Sequence, residues 1–355
     1  MPRQLLRDLG VTIGEFPIGQ HNAITDVADI LVGHTTLIYD EPRVARTGVT
    51  VIVPRAGDVY HDQCYGAYHS FNGNGELTGV HWLAESGLIG APLAITNTHQ
   101  VGLVRDALVD YEIQKHPDSQ WLLPIVAETY DGWLNDINAF HLTKADVLTA
   151  LGNAQSGPVA EGNVGGGTGM ICHQFKGGIG TASRLVETGS GQFTVGALVQ
   201  ANYGARRHLR VNGVPVGRLI DIDKVPSPRP APKTDGSIIV IVATDAPLLP
   251  GQCKRLVQRA TVGLARVGGT GYNGSGDLFL AFATGNHISL AATTPVAVHM
   301  LPNSQMDPLF DATAEAVEEA ILNALCMAET MTGQQGRTVH ALPLDLLQQI
   351  MADYS

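Results

Sequence analysis

The chain has 355 residues and a net charge of −11, from 22 basic and 33 acidic residues. Its 44% hydrophobic content can bury a large core and so excludes a disordered chain, while its acidic composition, with only 15% charged residues, argues against nucleic acid as a partner. No apolar run approaches the roughly 20 residues of a membrane span, and the first residues lack the apolar region of a secretory signal, so we expect a cytoplasmic protein without a membrane partner.

Runs of β-branched and apolar residues predict strands, which in chain order are 47–55, 177–186, 194–202, 237–246 and 277–286. Helices are predicted at 251–267, at 307–331 and after Pro343. The second helix begins with Asp307 and Pro308, a pair typical of an N-cap and first turn. Because strands and helices mix along the chain, the predicted class is α/β or α+β with packed layers.

A proline-rich segment, residues 224–236, interrupts this pattern. Four prolines alternate in it, which predicts an extended and exposed loop. The run SIIVIVATDA at 237–246 follows directly and is typical of a fully buried strand. The two are joined by Asp235-Gly236-Ser237.

Two glycine-rich motifs do not indicate a nucleotide site. Gly269, Gly271 and Gly274 match GxGxxG, but the motif follows a predicted helix and opens a strand, the reverse of a dinucleotide fingerprint. The segment 163–170 lacks the ending of a phosphate loop and instead predicts a tight turn where backbone approaches backbone.

Cysteine and histidine spacing gives no metal motif. The four cysteines are scattered without CxxC and are predicted to be buried neutral thiols. The 13 histidines include no HExxH and no HxH. A metal site could therefore come only from residues distant in sequence, and the spacing does not indicate one.

The residues around the Gly236-Ser237 bond are compatible with self-cleavage of the chain. A flexible glycine can let the serine oxygen reach the preceding carbonyl, so that an N-to-O acyl shift and hydrolysis would free Ser237 as an N-terminal nucleophile. The new α-amine would serve as the base, because its pKa is about 7.7 to 8.0 against about 10.4 for lysine. From the residues alone, Asp-Gly-Ser before a strand is usually an ordinary turn.

Long blocks of the chain resemble the self-processing serine aminopeptidases related to DmpA, namely the L-aminopeptidase/D-esterase-amidases and the β-peptidyl aminopeptidases. The similar blocks are 22–37, 72–102, 124–136, 162–184, 235–252 and 274–286, followed by TVHALPLDLL near the end. The resemblance implies a four-layer αββα sandwich, similar to N-terminal nucleophile hydrolases but with different strand connectivity.

The resemblance also implies a cut chain. Ser237 matches the nucleophile and Gly236-Ser237 the cleavage bond, so residues 1–236 would become an α chain and 237–355 a β chain of one compact domain. Ser275 matches a second active-site serine that hydrogen-bonds the nucleophile or its amine, and Asp277 matches a carboxylate position where some members have glutamate. Strand alternation puts Ser275 and Asp277 on the same face.

The other matching positions concern the substrate. Asn202 and Tyr130 match donors to the oxyanion, and such donors are worth about 10²- to 10³-fold in rate. Glu128 matches an acidic position near the substrate's amino end, and Trp133 is a candidate for the side-chain pocket. From the residues alone, each of these positions has a structural alternative. Asn202 could be a turn residue, Tyr130 a half-buried core aromatic, Glu128 a member of a surface ion pair and Trp133 a core tryptophan. Likewise, Ser275 could be a turn serine and Asp277 a cap.

The resulting hypothesis is a self-cleaving aminopeptidase that acts on small peptides, amides or esters with a free amino terminus and needs no metal or organic cofactor. The family implies a homo-oligomer, a tetramer of αβ units, and the low charge content is compatible with large buried interfaces.

Two alternative functions stay open. One is an acyltransferase of the ornithine acetyltransferase type, which resembles a threonine-nucleophile pattern where this chain has Ser237. The other is an unprocessed, non-catalytic binding protein.

Overall fold

The computed structural model describes residues 2–119, 121–228 and 236–354. Its strands are β1 (Leu31–Tyr39), β2 (Ala45–Val53), β3 (Asp62–Gly73), β4 (Leu88–Ile89), β5 (Leu93–Asn97), β6 (Ile125–Thr129), β7 (Ile171–Cys172), β8 (Phe175–Lys176), β9 (Gly178–Thr188), β10 (Gly191–Asn202), β11 (Ser237–Thr244), β12 (Gly276–Ser289), β13 (Met331–Thr332) and β14 (Thr338–Val339). Its α-helices are α1 (Val80–Ser86), α2 (Val101–Lys115), α3 (Lys144–Gly152), α4 (Val216–Leu219), α5 (Pro250–Gln258), α6 (Ala260–Val267), α7 (Asp307–Met327) and α8 (Leu344–Asp353). Among these described helices, none combines the length and the apolar character required to cross a bilayer.

Two sheets form the centre of the molecule. The larger has the strand order β4-β3-β12-β11-β10-β9, and the smaller has the order β1-β2-β5-β6. Strand β11 lies in the middle of the larger sheet, antiparallel to β10 and parallel to β12. All eight residues of β11 are buried, as the continuous β-branched run predicts.

The sheets stack face to face between two helical layers. Ile95 and Ile125 of the smaller sheet share one apolar core with Ile239 and Leu280 of the larger sheet. Helices α5 and α7 pack on the outer face of the larger sheet, and α2 and α3 pack on the outer face of the smaller one. The predicted αββα sandwich is therefore confirmed.

Alternation along β11 assigns its side chains to these cores. Ile239 and Ile241 belong to the core between the sheets, whereas Val240 and Val242 belong to the core under the helices. The same period puts Ser237 on the side that faces the smaller sheet.

The predicted elements occur with shifted ends. The predicted helix 251–267 is two helices, because hydrogen bonds from residue i+3 to residue i, Arg259 to Leu256 and Val262 to Arg259, tighten the chain around Arg259. Helix α7 ends at Met327 rather than at 331, since Ala328 takes extended backbone angles. In the predicted loop 224–236, Val225 is buried, and residues 229–235 lie outside the described part of the chain.

The predictions for cysteines and glycine motifs also hold. All four cysteines are free and buried, and burial raises the pKa of Cys172, Cys253 and Cys326 to about 12 and that of Cys64 to about 11. The GxGxxG segment follows α6 and opens β12. The segment Gly165–Gly167 is a short 3₁₀ turn packed against β2 and β5.

Candidate active site

A cleft of about 580 Å³ opens where strands of the two sheets end. Ser237 is the first residue of β11, and Asn202, the last residue of β10, is its partner across the antiparallel pair. Glu128 lies near the end of β6, and Tyr130 directly follows that strand. These four predicted site residues, together with Gly236, line this one cleft. Sheet register brings Asn202 beside Ser237, and the stacking of the two sheets brings Glu128, more than 100 positions from Ser237 in sequence, to the same cleft.

Ser237 is buried, with 7% of its surface exposed. Because β11 and β12 run parallel with Ser237 beside Gly276, the Gly276 amide donates to Ser237 Oγ over 3.2 Å. The same amide lies 3.3 Å from the carbonyl oxygen of Gly236, which it also contacts as a donor. One N–H group therefore faces both atoms of the predicted cleavage step, the serine oxygen and the scissile carbonyl.

Gly236 occupies a position that only glycine fits. A Cβ atom there would lie 2.3 Å from the backbone oxygen of Asn202 and 2.7 Å from Cα of Tyr203, and these backbone atoms belong to the end of a buried strand and cannot move aside easily. The glycine thus allows the chain before Ser237 to pass close to β10.

Ser275 and Asp277 lie beside the cleft and do not line it. Their side chains meet, as alternation predicts: the Ser275 hydroxyl donates to Asp277 Oδ1 over 2.6 Å. Both are almost fully buried, and burial raises the pKa of Asp277 to about 6, although the bonds from Ser275 and from the Ile238 backbone act in the opposite direction. The hydrogen bond from Ser275 goes to Asp277 and not to Ser237.

Asn202 is held in one orientation. Its Nδ2 donates to the Tyr130 carbonyl oxygen over 3.0 Å, and its Oδ1 accepts from the Ile171 amide over 2.8 Å. These bonds distinguish the amide nitrogen from the oxygen and occupy one of the two hydrogens on Nδ2, so the second hydrogen remains to be donated. Asn202 is therefore more than a turn residue, because it joins β10 to the loops on either side.

Tyr130 is half-exposed, with 49% of its surface accessible, and so is not a core aromatic. Its ring lies over Gly132: a Cβ atom on that glycine would be 2.4 Å from the Tyr130 hydroxyl. The phenol is thus kept on the cleft wall by the absence of a side chain at position 132.

Glu128 is a buried carboxylate, and it makes no ion pair with any residue that the structure describes. Only 3% of its surface is exposed, and it accepts hydrogen bonds from the Glu76 amide over 3.0 Å and from the Thr98 hydroxyl. Burial raises the pKa of Glu128, which the two hydrogen bonds partly offset. A buried carboxylate that reaches a cleft is suited to hold a cationic group of a ligand.

Trp133 does not contribute to the cleft wall among the described residues. It packs against the small core of Leu134, Ile171 and Val339, and Arg337 stacks on its ring at 4.1 Å. This partly buried position is closer to the structural alternative, a packed tryptophan, than to a pocket wall.

Several further cleft residues were not singled out from the sequence, among them Glu76, Thr98 and Gln174. Glu76 and Thr98 lie inside the similar block 72–102, but the sequence does not indicate that they hydrogen-bond to Glu128. Gln174 lines the cleft with a positive φ of 63°, in the tight turn between β7 and β8. No local pattern indicates this last residue, because its relevance depends on where that hairpin packs.

A sandwich of two sheets between helices, with a buried serine opening a central strand at a cleft, defines the class of N-terminal-nucleophile-type serine hydrolases. The comparisons agree with this class. A solved structure of an L-aminopeptidase D-Ala-esterase/amidase from Ochrobactrum anthropi, described as a prototype for the serine aminopeptidases and a variant of the Ntn hydrolase fold, is similar with a TM-score of 0.92 and 43% identity, covering 100% of this chain and 99% of that chain. A β-aminopeptidase from Burkholderia sp. is similar with a TM-score of 0.93 and 51% identity, covering 99% of both chains.

The sequence comparisons give the family. The model of peptidase family S58 matches residues 22–339. The β-peptidyl aminopeptidase BapA of Sphingosinicella microcystinivorans is 46% identical over 98% of this chain and 92% of its own length. The chain therefore belongs to peptidase family S58, and it is a hydrolase of peptide or amide bonds. The predicted class, a serine aminopeptidase, is confirmed, and the acyltransferase and binding-protein alternatives are not favoured.

Proposed function

We propose that the chain is a β-peptidyl aminopeptidase that activates itself by cleaving the Gly236-Ser237 bond. The observation that carries the proposal is Ser237 at the start of β11, buried in the same cleft as the carboxylate of Glu128. Two relatives of 46% and 43% identity, from two Sphingosinicella species, are named β-peptidyl aminopeptidases, and each covers at least 97% of this chain.

Self-cleavage begins with Ser237 Oγ attacking the Gly236 carbonyl carbon. A C–O bond forms, the C–N bond breaks, and the nitrogen leaves as the new amine with the hydroxyl proton. The Gly276 amide, 3.3 Å from the Gly236 oxygen, supports this step because it can stabilise the negative charge that develops there. Water then hydrolyses the ester, which frees residues 1–236 and 237–355 as two chains of one compact domain.

Hydrolysis of a substrate repeats the attack on a second carbonyl. Ser237 Oγ attacks the carbonyl carbon of the substrate's amino-terminal residue. The new α-amine of Ser237 takes the hydroxyl proton and passes it to the leaving group. Ser275 and Asp277, on the strand next to Ser237, hold that amine in place. Asn202 Nδ2 and the Tyr130 hydroxyl stabilise the oxyanion. Water releases the acyl group, so this sequence requires no metal or organic cofactor.

The substrate is a small peptide, amide or ester with a free amine. Its ammonium group binds Glu128, whose burial strengthens that ion pair. A cleft of about 580 Å³ has room for a short substrate but not for a folded chain. A β-amino acid carries one more backbone methylene than an α-amino acid, so the separation of Glu128 from Ser237 selects between them.

The assembly is a homo-oligomer in the cytoplasm, a tetramer of αβ units. Residues 291–300 support this part of the proposal, because every one is exposed and they include Val296, Val298 and Met300, which a monomer would leave in water.

The test compares wild type with Ser237→Ala, with Ser190→Ala as the matched control at an exposed serine. Wild type and Ser190→Ala should give two bands on a denaturing gel, with the smaller chain beginning Ser-Ile-Ile, and should hydrolyse β-alanyl amide faster than L-alanyl or D-alanyl amide. Ser237→Ala should remain one chain and be inactive on all three. Turnover by Ser237→Ala would remove the nucleophile, and transfer of the acyl group to added amines in preference to water would favour the acyltransferase.

A further inference from the structure

A second group of reactive side chains lies outside the cleft. Asp58 and His61 belong to the loop between β2 and β3, and His116 follows the last residue of α2. Each offers one ligand atom, and these atoms lie within 4.8 Å of one another. Glu112, one helical turn before His116, is the fourth member of what we call the Asp58 cluster.

The spacing of the cluster suits a metal ion. His61 Nδ1 lies 2.6 Å from Asp58 Oδ2, His116 Nε2 lies 3.2 Å from Asp58 Oδ1, and His116 Nε2 lies 3.6 Å from Glu112 Oε2. Zinc binds nitrogen and oxygen at about 2.0 to 2.2 Å, so two ligands of a tetrahedral ion stand about 3.3 Å apart. These three separations differ from this value by less than 1 Å, and the ligand atoms of Asp58, His61 and His116 all lie within 4.8 Å of one another.

Two buried atoms of the cluster have unmet bonding capacity. Within the described residues, neither His116 Nε2 nor Glu112 Oε2 makes a hydrogen bond, although both are out of contact with solvent; their polar neighbours are the ion-pair contacts of His116 with Asp58 and Glu112. Glu112 is 2% exposed, and its free oxygen is directed at His116. Buried polar atoms are normally satisfied, and an ion that binds both atoms would satisfy them.

The surroundings hold the ligand atoms before any ion binds. Tyr60 stacks on the His116 ring at 4.8 Å, and the His61 and His116 rings meet edge to face at 4.7 Å. The His61 amide also donates to Asp58 Oδ1 over 3.2 Å. Restrained side chains lose little conformational freedom on binding, which favours affinity.

We propose that Asp58, His61 and His116 bind one divalent transition-metal ion of the zinc type, with the buried carboxylate of Glu112 beside His116. Two imidazoles with carboxylates favour Zn²⁺, Co²⁺ or Ni²⁺ over Mg²⁺ or Ca²⁺, which prefer all-oxygen sites. The ion would tie the β2–β3 loop to the end of α2, two segments that are distant in sequence.

The proposed ion is structural and takes no part in peptide hydrolysis. Strand β12 begins beside Ser237 at Gly276, and its other end pairs through Ser289 with Asp62, next to the cluster. The strand has 14 residues, so at about 3.3 Å per residue its ends lie roughly 40 Å apart. Activity is therefore a check on folding that is independent of the metal.

The test uses the full-length protein without a histidine tag, treated with chelator and titrated with ZnCl₂ by calorimetry. Wild type should bind one Zn²⁺ per chain, and Zn²⁺ should raise its thermal unfolding midpoint by mass action. His61→Ala and His116→Ala should each lose at least about tenfold in affinity, since changes even beyond the ligands cost 10- to 100-fold. His299→Ala, at an exposed histidine outside the cluster, should match wild type.

Hydrolysis rates of all variants should equal that of wild type, which shows that they fold. Asp58→Asn, which keeps the side-chain shape, should also lose affinity. Absence of saturable binding to wild type would overturn the proposal, and so would unchanged affinity in both histidine variants. Equal binding of Mg²⁺ would overturn the assignment to a zinc-type ion.

Discussion

The hydroxyl of Ser275 donates to the carboxylate of Asp277 over 2.6 Å, and this pair lies beside the start of the strand that Ser237 opens. Leu278 faces the core between the sheets and Phe279 the core under the helices, so alternation puts Asp277 on the helix side of β12. The carboxylate is thus kept from bulk water and from the cleft, and it contacts the start of β11 through the Ile238 backbone and the neighbouring Ser275 hydroxyl.

Replacing the carboxylate of Asp277 should lower the activity of the protein but raise its stability. In Asp277→Asn, kcat/KM should fall about 10- to 150-fold, the equivalent of one charge-assisted hydrogen bond. The free energy of unfolding at pH 7.5 should rise by up to about 3 kcal/mol, because the variant no longer buries a charge whose pKa is shifted from 3.8 to about 6. Kinetics and denaturant unfolding of fully cleaved protein test both. A variant less stable than wild type at pH 7.5 would contradict the argument.

The same carboxylate predicts a direction with pH. Because the pKa of Asp277 is higher in the folded than in the unfolded chain, its contribution to stability is largest below pH 4 and is lost as pH rises through about 6. The stability gained by Asp277→Asn should therefore be clear at pH 7.5 and nearly absent at pH 4. Unfolding curves at the two pH values measure the difference, and an equal gain at both would rule out a shifted pKa as its cause.

Glu128 should act on the substrate's charge. In Glu128→Gln, kcat/KM for β-alanyl amide should fall about 10- to 150-fold, because an ammonium loses its buried anionic partner. Propionyl amide, which has the same acyl skeleton without the amine, should be hydrolysed equally by wild type and variant. Glu76→Gln removes an exposed carboxylate of the same cleft and should have a smaller effect. An equal loss on both substrates would assign Glu128 a structural role only.

The contact between Tyr130 and Gly132 offers a test of the oxyanion site. A methyl group at position 132 would overlap the phenol, so Gly132→Ala should displace an exposed ring without disturbing a core. Gly132→Ala and Tyr130→Phe should each lower kcat about 10²- to 10³-fold. The double variant should be no worse than Tyr130→Phe, because both changes remove the same hydrogen bond. Additive losses would show that Gly132 matters for another reason.

The sequence predicted the elements whose signal is local. Strands β10 and β11 are long β-branched runs, and α7 combines an N-terminal signal with an apolar stripe, so their existence depends little on the rest of the chain. Strand β3 was not predicted, because its residues DQCYGAYHSFNG alternate poorly and include glycine. Its extended form depends on pairing with β12, which is a tertiary contact.

The same division holds for the site. The family resemblance identified Ser237, Asn202 and Glu128, and the structure brings all three to one cleft. Gly276 was not singled out, since its amide acts only through the register of β12 against β11. The Asp58 cluster was equally hidden, because His116 meets Asp58 only when the end of α2 packs beside the β2–β3 loop.

In the larger sheet, strands from before and after the proposed cleavage site lie next to one another. If the cleavage occurs, this strand order predicts how the two chains behave. Strands β3 and β10 belong to residues 1–236, while β11 and β12, which lie between them, belong to residues 237–355. Cleavage therefore leaves the ladder hydrogen bonds and both apolar cores intact. The two chains should co-elute as one particle in native size-exclusion chromatography and separate only in denaturant.

A charge inside that shared core should weaken the association. Ile239 of β11 is buried between the sheets, so Ile239→Asp should destabilise the particle strongly and yield separated or aggregated chains after cleavage. Ile222→Asp, at an exposed isoleucine, is the control and should leave the particle unchanged. If wild-type chains separated in native buffer, the pairing of β11 with β10 could not be what holds the cleaved protein together.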